Sequence, residues 1–343
     1  MSPTVEYKKL GKSGLRVSLP ILGMMGMGSS TWQDWCLDEK ESLPILKKAY
    51  DMGVTTWDTA NAYSEGASES LIKAAIKEYN IPREELTIIT KVFYGTANEK
   101  IEPFVTPLAH KREYVNQVGL SRGAIFKQVD ACLERLGTDY IDLLFIHRYD
   151  KNVEPEEVME ALNDIVKSGK VRYIGASSMY AYQFATLQHV AEKNGWVKFI
   201  AMQNHYSLLY REEEREVIPY CHMTGVGIVP WGPLNKGLLA RPADSPKTVR
   251  ATSGGLALKT APIDPVAKVI IDRTEELAKK KGWSMTEVSL AWIASKGCTS
   301  PIIGISSIKR LEEASELSGK TLTPEECKYL EEPYVPRNII GHF

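Results

Sequence analysis

Val54-Thr55-Thr56-Trp57-Asp58-Thr59-Ala60-Asn61-Ala62-Tyr63 changes character halfway along. Its first half is apolar and β-branched, the composition of a buried strand. Its second half is small and polar, so the chain leaves the strand at Asp58 and delivers Tyr63 a short loop later. Two further runs end the same way. Leu86-Thr87-Ile88-Ile89-Thr90 leads into Lys91, and Tyr140-Ile141-Asp142-Leu143-Leu144-Phe145-Ile146 leads into His147. One ionisable residue at a strand end is an ordinary cap or surface charge. Three successive strands ending on an acid, a base and an imidazole are hard to explain by packing, and they point to chemistry on one rim.

Outward from these runs the chain alternates. Strand-like segments fall at 19–23, 54–58, 86–91, 140–146, 171–176, 198–203, 226–231 and 300–304. Helical periodicity lies between and after them, at about 40–52, 68–79, 121–136, 155–168, 180–193, 211–223, 266–281 and 307–318. Strict alternation implies parallel strands with right-handed crossovers. Eight units of about 40 residues favour a closed (β/α)8 TIM barrel over a doubly wound sheet, in a single domain spanning 1–343. Residues 5–20 read as a β-hairpin in front of it, around Leu10-Gly11-Lys12-Ser13-Gly14. Asp38 opens the first helix, while Gly53, Gly169 and Gly282 close helices. Two connections, 92–120 and 232–265, are too long for plain loops and belong to the C-terminal mouth of the barrel, where active sites are built. The second is rich in Pro and Gly and is expected to move when no ligand is bound.

Composition narrows the function. Hydrophobic residues make up 43% of the 343 and charged residues 25%, which suits a soluble chain with a sizeable core. A net charge of −1 argues against a general nucleic-acid binder. No apolar run approaches membrane-spanning length, and the first residues lack the apolar centre of a secretory signal. The five cysteines are scattered and without CxxC spacing, which reads as reduced thiols of a cytoplasmic protein. Cys221-His222 has no second pair to complete a metal site, so no metal is expected.

In a barrel, Asp58, Lys91 and His147 converge at the mouth, with Tyr63 just above them. A phenol titrates near pH ~10 and is a poor acid alone. An adjacent ammonium favours phenolate, Lys91 is the candidate for that role, and Asp58 keeps Lys91 charged and oriented. His147 either fixes a substrate oxygen or shares the proton transfer. The set is suited to protonating a carbonyl oxygen.

Trp57-Asp58-Thr59-Ala60-Asn61-Ala62-Tyr63 is similar to the signature of the aldo-keto reductases, and the resemblance runs from Leu10 to the final helix. It implies a (β/α)8 barrel in which Asp58, Tyr63, Lys91 and His147 form a catalytic tetrad. Ile174-Gly175-Ala176-Ser177-Ser178 resembles the family's Gly-Val-Ser-Asn, with Ser178 where Asn is usual. Gln203 matches the glutamine that holds the nicotinamide carboxamide with that pair, and Trp231 stands where an aromatic ring stacks on the nicotinamide. Gly232, Leu234, Lys236 and Gly237 match residues around the pyrophosphate. Pro301-Ile302-Ile303-Gly304-Ile305-Ser306, followed by Lys309, Arg310 and Glu313, looks like the adenosine-phosphate end, although Ala314 replaces the usual Asn.

A helix N-terminus offers free N–H groups to phosphate. Lys309 and Arg310 oppose the helix dipole there, which makes sense beside a 2′-phosphate and favours NADPH over NADH. Gly11-Lys12-Ser13-Gly14 sits in a hairpin and is no dinucleotide motif.

The expectation is a cytoplasmic, NADPH-dependent reductase of aldehydes or ketones, with Tyr63 as the acid. The alternative is a nicotinamide-binding sensor subunit with little turnover. Met24, Trp32, Trp35 and Tyr94 are expected to line an apolar mouth that suits aryl or medium aliphatic aldehydes. The partner is a small carbonyl compound, with neither nucleic acid nor membrane involved, and the state is a monomer or weak homo-oligomer. The segment 334–343 is apolar enough to cover the mouth or to meet a partner.

Overall fold

The computed structural model describes residues 5–96, 111–246, 248–252 and 263–342. The hairpin forms as read, β1 (Glu6–Lys9) antiparallel to β2 (Arg16–Leu19). Eight strands follow: β3 (Ile21–Gly23), β4 (Thr56–Asp58), β5 (Thr87–Val92), β6 (Ile141–Ile146), β7 (Val171–Ser177), β8 (Ala201–Gln203), β9 (Gly227–Ile228) and β10 (Ile302–Gly304). They make one parallel sheet in the order β10-β3-β4-β5-β6-β7-β8-β9. Its two ends meet. Trp231 and Ile302 form a parallel bridge, and the amides of Thr299 and Ile302 donate to the carbonyls of Ile228 and Pro230 at 2.8 and 2.9 Å. The result is the eight-stranded ring that strict alternation predicts.

Around it run α1 (Glu39–Met52), α2 (Ala67–Tyr79), α3 (Arg122–Leu136), α4 (Pro155–Lys167), α5 (Ala181–Lys193), α6 (Val217–Thr224), α7 (Val249–Thr252), α8 (Pro265–Lys281), α9 (Met285–Ser295), α10 (Ile308–Ser315) and α11 (Pro324–Glu331). Gly53 and Gly282 close α1 and α8 in the left-handed conformation, as the sequence suggests. The helix expected over 211–223 begins only at Val217. Residues 212–214 form a separate 3-10 turn whose glutamates bond to other segments. The helices α7, α9 and α11 are additional to the eight expected, α7 being a single turn within the second long connection. Nine of the eleven residues of α9 are buried, so it has no polar face to set a period. Of these, α9 and α11 do carry a capping box, Ser284-x-x-Glu287 and Thr323-x-x-Glu326.

Two apolar layers hold the barrel. Inside the ring, Ile21, Ile89, Leu143, Phe145, Ala201, Val229 and Ile302 pack together, joined by Leu10 and Val17 from the hairpin. The hairpin therefore closes the end opposite the strand ends that carry Asp58, Lys91 and His147. Its turn presses onto the chain before β9, where a Cβ on Gly11 (φ +56°) would lie 2.5 Å from the Gly225 carbonyl and the Gly227 amide. In the interior, Phe145 takes the room beside β7, since a Cβ on Gly175 would lie 2.5 Å from the Phe145 ring. The larger layer lies between the sheet and the helices. With the interior filled, what remains for chemistry is the rim at the strand ends. Residues 97–110 and 253–262, parts of the two long connections, lie outside the described residues.

Candidate active site

Asp58 ends β4, Lys91 is the fifth residue of β5, and His147 follows β6 directly. The parallel register pairs Asp58 with Ile89 and Lys91 with Phe145, which sets these side chains on neighbouring strands. The loop after β4 is tied to β5, with Thr59 N donating to Ile89 O at 2.8 Å and Asn61 N to Lys91 O at 3.1 Å. Asn61 Nδ2 donates to the Tyr94 carbonyl at 2.6 Å and to Gln128 at 3.0 Å. Ser64 (φ 48°) and Glu65 (φ 52°) then turn the chain into α2 through left-handed conformations that side chains other than glycine disfavour. Tyr63 is held at the start of that strained turn.

The four residues meet. Lys91 is fully buried, and its Nζ donates to Asp58 Oδ2 at 2.8 Å, to the Thr59 carbonyl at 2.8 Å and to Tyr63 Oη at 3.3 Å. Those three bonds use every proton of the ammonium. The other oxygen of Asp58 accepts from Gln203 Nε2 at 2.9 Å. The His147 ring stands edge-on to Tyr63 and to Tyr94, at centroid distances of 5.8 and 5.2 Å. Its Nδ1 is buried with no hydrogen-bond partner among the described residues.

Burial dominates the electrostatics. It pushes the Asp58 carboxyl up, against the opposing pull of Lys91 and the Gln203 bond. Lys91 ends above its ordinary value because Asp58 and Tyr63 together outweigh the burial that lowers it. At 2.8 Å the ammonium opposes the burial that disfavours the carboxylate, and the carboxylate opposes the burial that disfavours the ammonium. Tyr63 is displaced upward by burial, which exceeds the downward pull of Lys91 and Arg148. The ammonium thus moderates the rise but does not bring the phenol below its usual range, contrary to the expectation from proximity alone. His147 is held neutral by burial, with Arg148 and Lys91 adding to the effect.

Beside the tetrad lies a polar shelf. Ser177 Oγ donates to the Gln203 carbonyl at 2.7 Å, and Ser178 (φ 49°) is held by its amide to Asn204 Oδ1 at 2.6 Å. Trp231 Nε1 donates to Ser178 Oγ at 3.0 Å. One face of Trp231 rests on His205, which in turn stacks on Tyr210 at nearly parallel angles and centroid distances of 4.3 and 4.4 Å. Burial lowers His205 to about 3, so this stack is uncharged. Gln203, Ser177, Ser178 and Trp231 are therefore one cluster, as the family resemblance implies. Asn204 and His205 complete it, and nothing in their local sequence set them apart.

The segment after β9 continues from this shelf. Gly232, Asn235, Lys236 and Gly237 all have positive φ, at 67°, 44°, 58° and 90°, while Leu234 is half-buried against the main core. Lys236 is lowered by burial and by Arg250 nearby. Arg250 lies over the Trp35 ring at 4.4 Å, and its Nε has no hydrogen-bond partner among the described residues. Two cations packed together in a strained loop suit a multiply charged anion. Sequence reading missed Arg250 because only the fold brings it to Lys236.

Farther along the rim, Gly304 faces open space, Ser306, Lys309 and Arg310 are exposed, and Glu313 is half-buried. Arg310 Nη1 donates to Ser306, and Ser307 caps α10. In the first loop, Trp32 and Trp35 stand 6.4 Å apart, while Met24 is fully buried and bonds through its amide to the Asp58 carbonyl at 2.8 Å.

The C-terminal segment lies over the shelf. Glu212 accepts from Tyr334 Oη and from the Arg337 amide, at 2.7 and 2.8 Å, and the Ile340 amide donates to Tyr210 Oη at 3.0 Å. A Cβ on Gly341 would be 3.7 Å from Trp231, 3.8 Å from Arg148 and 3.9 Å from Ser178. Of the two expectations for this segment, it is the covering one that the geometry matches.

Residues 21–334 match the Aldo/keto reductase family. The chain belongs to that family. An aldo-keto reductase of Metarhizium robertsii is 52% identical over 346 residues, covering 98% of this chain and 93% of that protein. The versiconal hemiacetal acetate reductase of Aspergillus parasiticus is 51% identical, covering 98% of each chain. A putative aryl-alcohol dehydrogenase of Schizosaccharomyces pombe is 49% identical, covering 99% of each. As an aldo-keto reductase, the chain is an oxidoreductase acting on small carbonyl compounds, and members of the family generally use NAD(P)H. No helix among the described residues is long and apolar enough to cross a membrane.

Proposed function

We propose that this aldo-keto reductase reduces aldehydes or ketones with NADPH, and that Tyr63 is the general acid. One observation carries the reading. Lys91 Nζ can only donate, so Tyr63 Oη accepts its bond and must direct its own proton elsewhere, toward the space shared with His147 and Tyr94. A carbonyl oxygen placed there meets one O–H donor and one neutral imidazole. As charge develops on that oxygen, Tyr63 gives up its proton and Lys91 stabilises the phenolate left behind. Asp58 keeps Lys91 aimed, and Gln203 keeps Asp58 aimed.

The residues fit a nicotinamide dinucleotide. Ser177, Ser178 and Gln203 supply amide-binding groups beside a tryptophan whose back is already covered, and Gly232, Leu234, Lys236, Gly237 and Arg250 form a cationic stretch for a diphosphate. Gly304, Ser306, Lys309, Arg310 and Glu313 surround an open helix N-terminus where exposed cations favour a 2′-phosphate. The reduced nicotinamide supplies the hydride, and the protein supplies orientation and the proton. Tyr94 and Trp35 border the substrate side.

The test is NADPH oxidation with 4-nitrobenzaldehyde, for the unaltered protein and Tyr63→Phe, with cofactor binding measured by fluorescence quenching. The variant is expected to bind NADPH and to lose about 10²- to 10⁴-fold in kcat/KM. Equal activity in both proteins would remove Tyr63 from the mechanism. Tight cofactor binding without turnover in either would favour a sensor.

A further inference from the structure

The 3-10 turn of residues 212–214 takes no part in the proton transfer, yet its three glutamates reach three different parts of the molecule. Glu212 holds the C-terminal segment through Tyr334 and Arg337, and Glu214 pairs with Arg211 at 2.7 Å. Glu213 reaches the nicotinamide shelf. Its Oε2 accepts from Asn204 Nδ2 at 2.6 Å, and Asn204 Oδ1 accepts from the Ser178 amide at 2.6 Å. Two short hydrogen bonds thus connect a buried carboxylate to a residue of the shelf.

The polarity of this chain is fixed from the Glu213 end. A carboxylate oxygen accepts, so Asn204 must turn its NH2 group toward Glu213 and its carbonyl toward Ser178. Without that acceptor the Asn204 amide is free to turn over, and Nδ2 would then face the Ser178 N–H, donor against donor. Ser178 needs the restraint. Its φ of 49° is one that serine adopts at a cost and keeps where its surroundings fix it. Its amide makes a longer bond to the Gln203 carbonyl, at 3.2 Å, and its hydroxyl accepts from Trp231 Nε1 at 3.0 Å. A Ser178 that relaxes carries its hydroxyl away from Trp231 and disturbs the surface on which a nicotinamide would lie.

The bond between Glu213 and Asn204 is sealed from water. Glu213 is 2% exposed, and the C-terminal segment helps to cover it. The His342 ring packs edge-on to Tyr180 at 4.8 Å. Its Nε2 stands 3.1 Å from Glu213 Oε1, at an angle that leaves both atoms without a hydrogen bond among the described residues. A bond to a carboxylate gains strength in such a setting, and losing one of its partners there is costly.

We propose that Glu213 is a positioning residue for the nicotinamide half of the cofactor, acting through Asn204 on Ser178. The proposal rests on the nicotinamide reading of the shelf and adds to it a residue that stands behind the shelf. The effect is local: it bears on the nicotinamide end and leaves the adenosine end, at α10, unchanged.

Calorimetric titration with two ligands tests this. NADPH fills both ends of the site, whereas adenosine 2′,5′-bisphosphate fills the adenosine end alone. In Glu213→Leu the dissociation constant of NADPH is expected to rise by about ten- to a hundredfold, while that of the bisphosphate changes by less than about twofold. Asn204→Ala interrupts the same chain and carries the test should Glu213→Leu not fold. The double variant is expected to lose no more than either single one, because both remove one connection. Glu213→Gln keeps an acceptor for Asn204 and should retain most of the affinity. NADPH bound equally by the unaltered protein and both single variants overturns the proposal. So does an equal loss for both ligands, which marks a general loosening, or a Glu213→Gln as weak as Glu213→Leu. An unaltered protein that binds the bisphosphate no less tightly than NADPH would end the nicotinamide reading itself, and the proposal with it.

Discussion

Lys91 and Arg310 both bring a positive charge to the barrel mouth, yet one is sealed from water and the other stands in it. Lys91 is fully buried, and all three of its protons are bonded. Arg310 sits exposed at the start of α10 with a serine for company. The difference lies in how each site comes to exist. Three barrel strands build the tetrad pocket before any ligand arrives, so folding itself has covered the cost of burying its charges. The α10 end keeps its cations exposed to water and, under the proposed function, leaves their pairing to the cofactor.

Removing one side of each site separates the two designs. Lys91→Met leaves Asp58 buried without its counter-ion and should cost about 3–5 kcal/mol of folding stability, read by urea unfolding. Asp58→Asn in the same chain should return much of that loss, and no recovery would mean that the pair is not what the pocket depends on. A second effect belongs to the buried shelf. His205 titrates at about 3 in the folded chain and near 6.5 when unfolded, so the unfolded state takes up the proton first. Stability is full above the unfolded value and declines as pH falls toward the folded one. Between pH 7 and pH 5 the expected loss is about 2 kcal/mol from this residue, and His205→Phe should flatten that part of the profile.

At the exposed end the effects are smaller and sensitive to salt. Arg310→Ala should weaken NADPH by about tenfold while leaving NADH nearly unaffected, measured as dissociation constants by quenching. Raising ionic strength should weaken NADPH in the unaltered protein more than in Arg310→Ala, because a solvent-facing cation is screened and an absent one is not. Equal salt dependence would place the recognition of the 2′-phosphate elsewhere. Smallest of all, Lys47→Ala on the surface of α1 removes an exposed pair with Asp51 and should change stability by no more than about 0.5 kcal/mol.

The same contrast governs what could be read from the chain. Asp58, Lys91 and His147 are legible because each stands at the end of an apolar run, and a barrel brings such ends together whatever the loops do. Gln203 and Trp231 are legible as matches to a family pattern, and the structure adds that Gln203 bonds to Asp58, which no local spacing reveals. Arg250 and Asn204 join their clusters through residues well removed in the chain, so their own surroundings in sequence are silent. The helix α9 escaped because periodicity detects a boundary between core and water, and a helix covered on nearly all sides has no such boundary.

The filling of the ring by Phe145 has a consequence for how this barrel can be inherited. The space that a side chain at 175 would need is already taken by that ring, 2.5 Å from the missing Cβ. Position 175 cannot gain a side chain alone. A descendant that acquires a methyl at 175 must first, or at once, give up bulk at 145, so the two sites are expected to covary across lineages as a single trait.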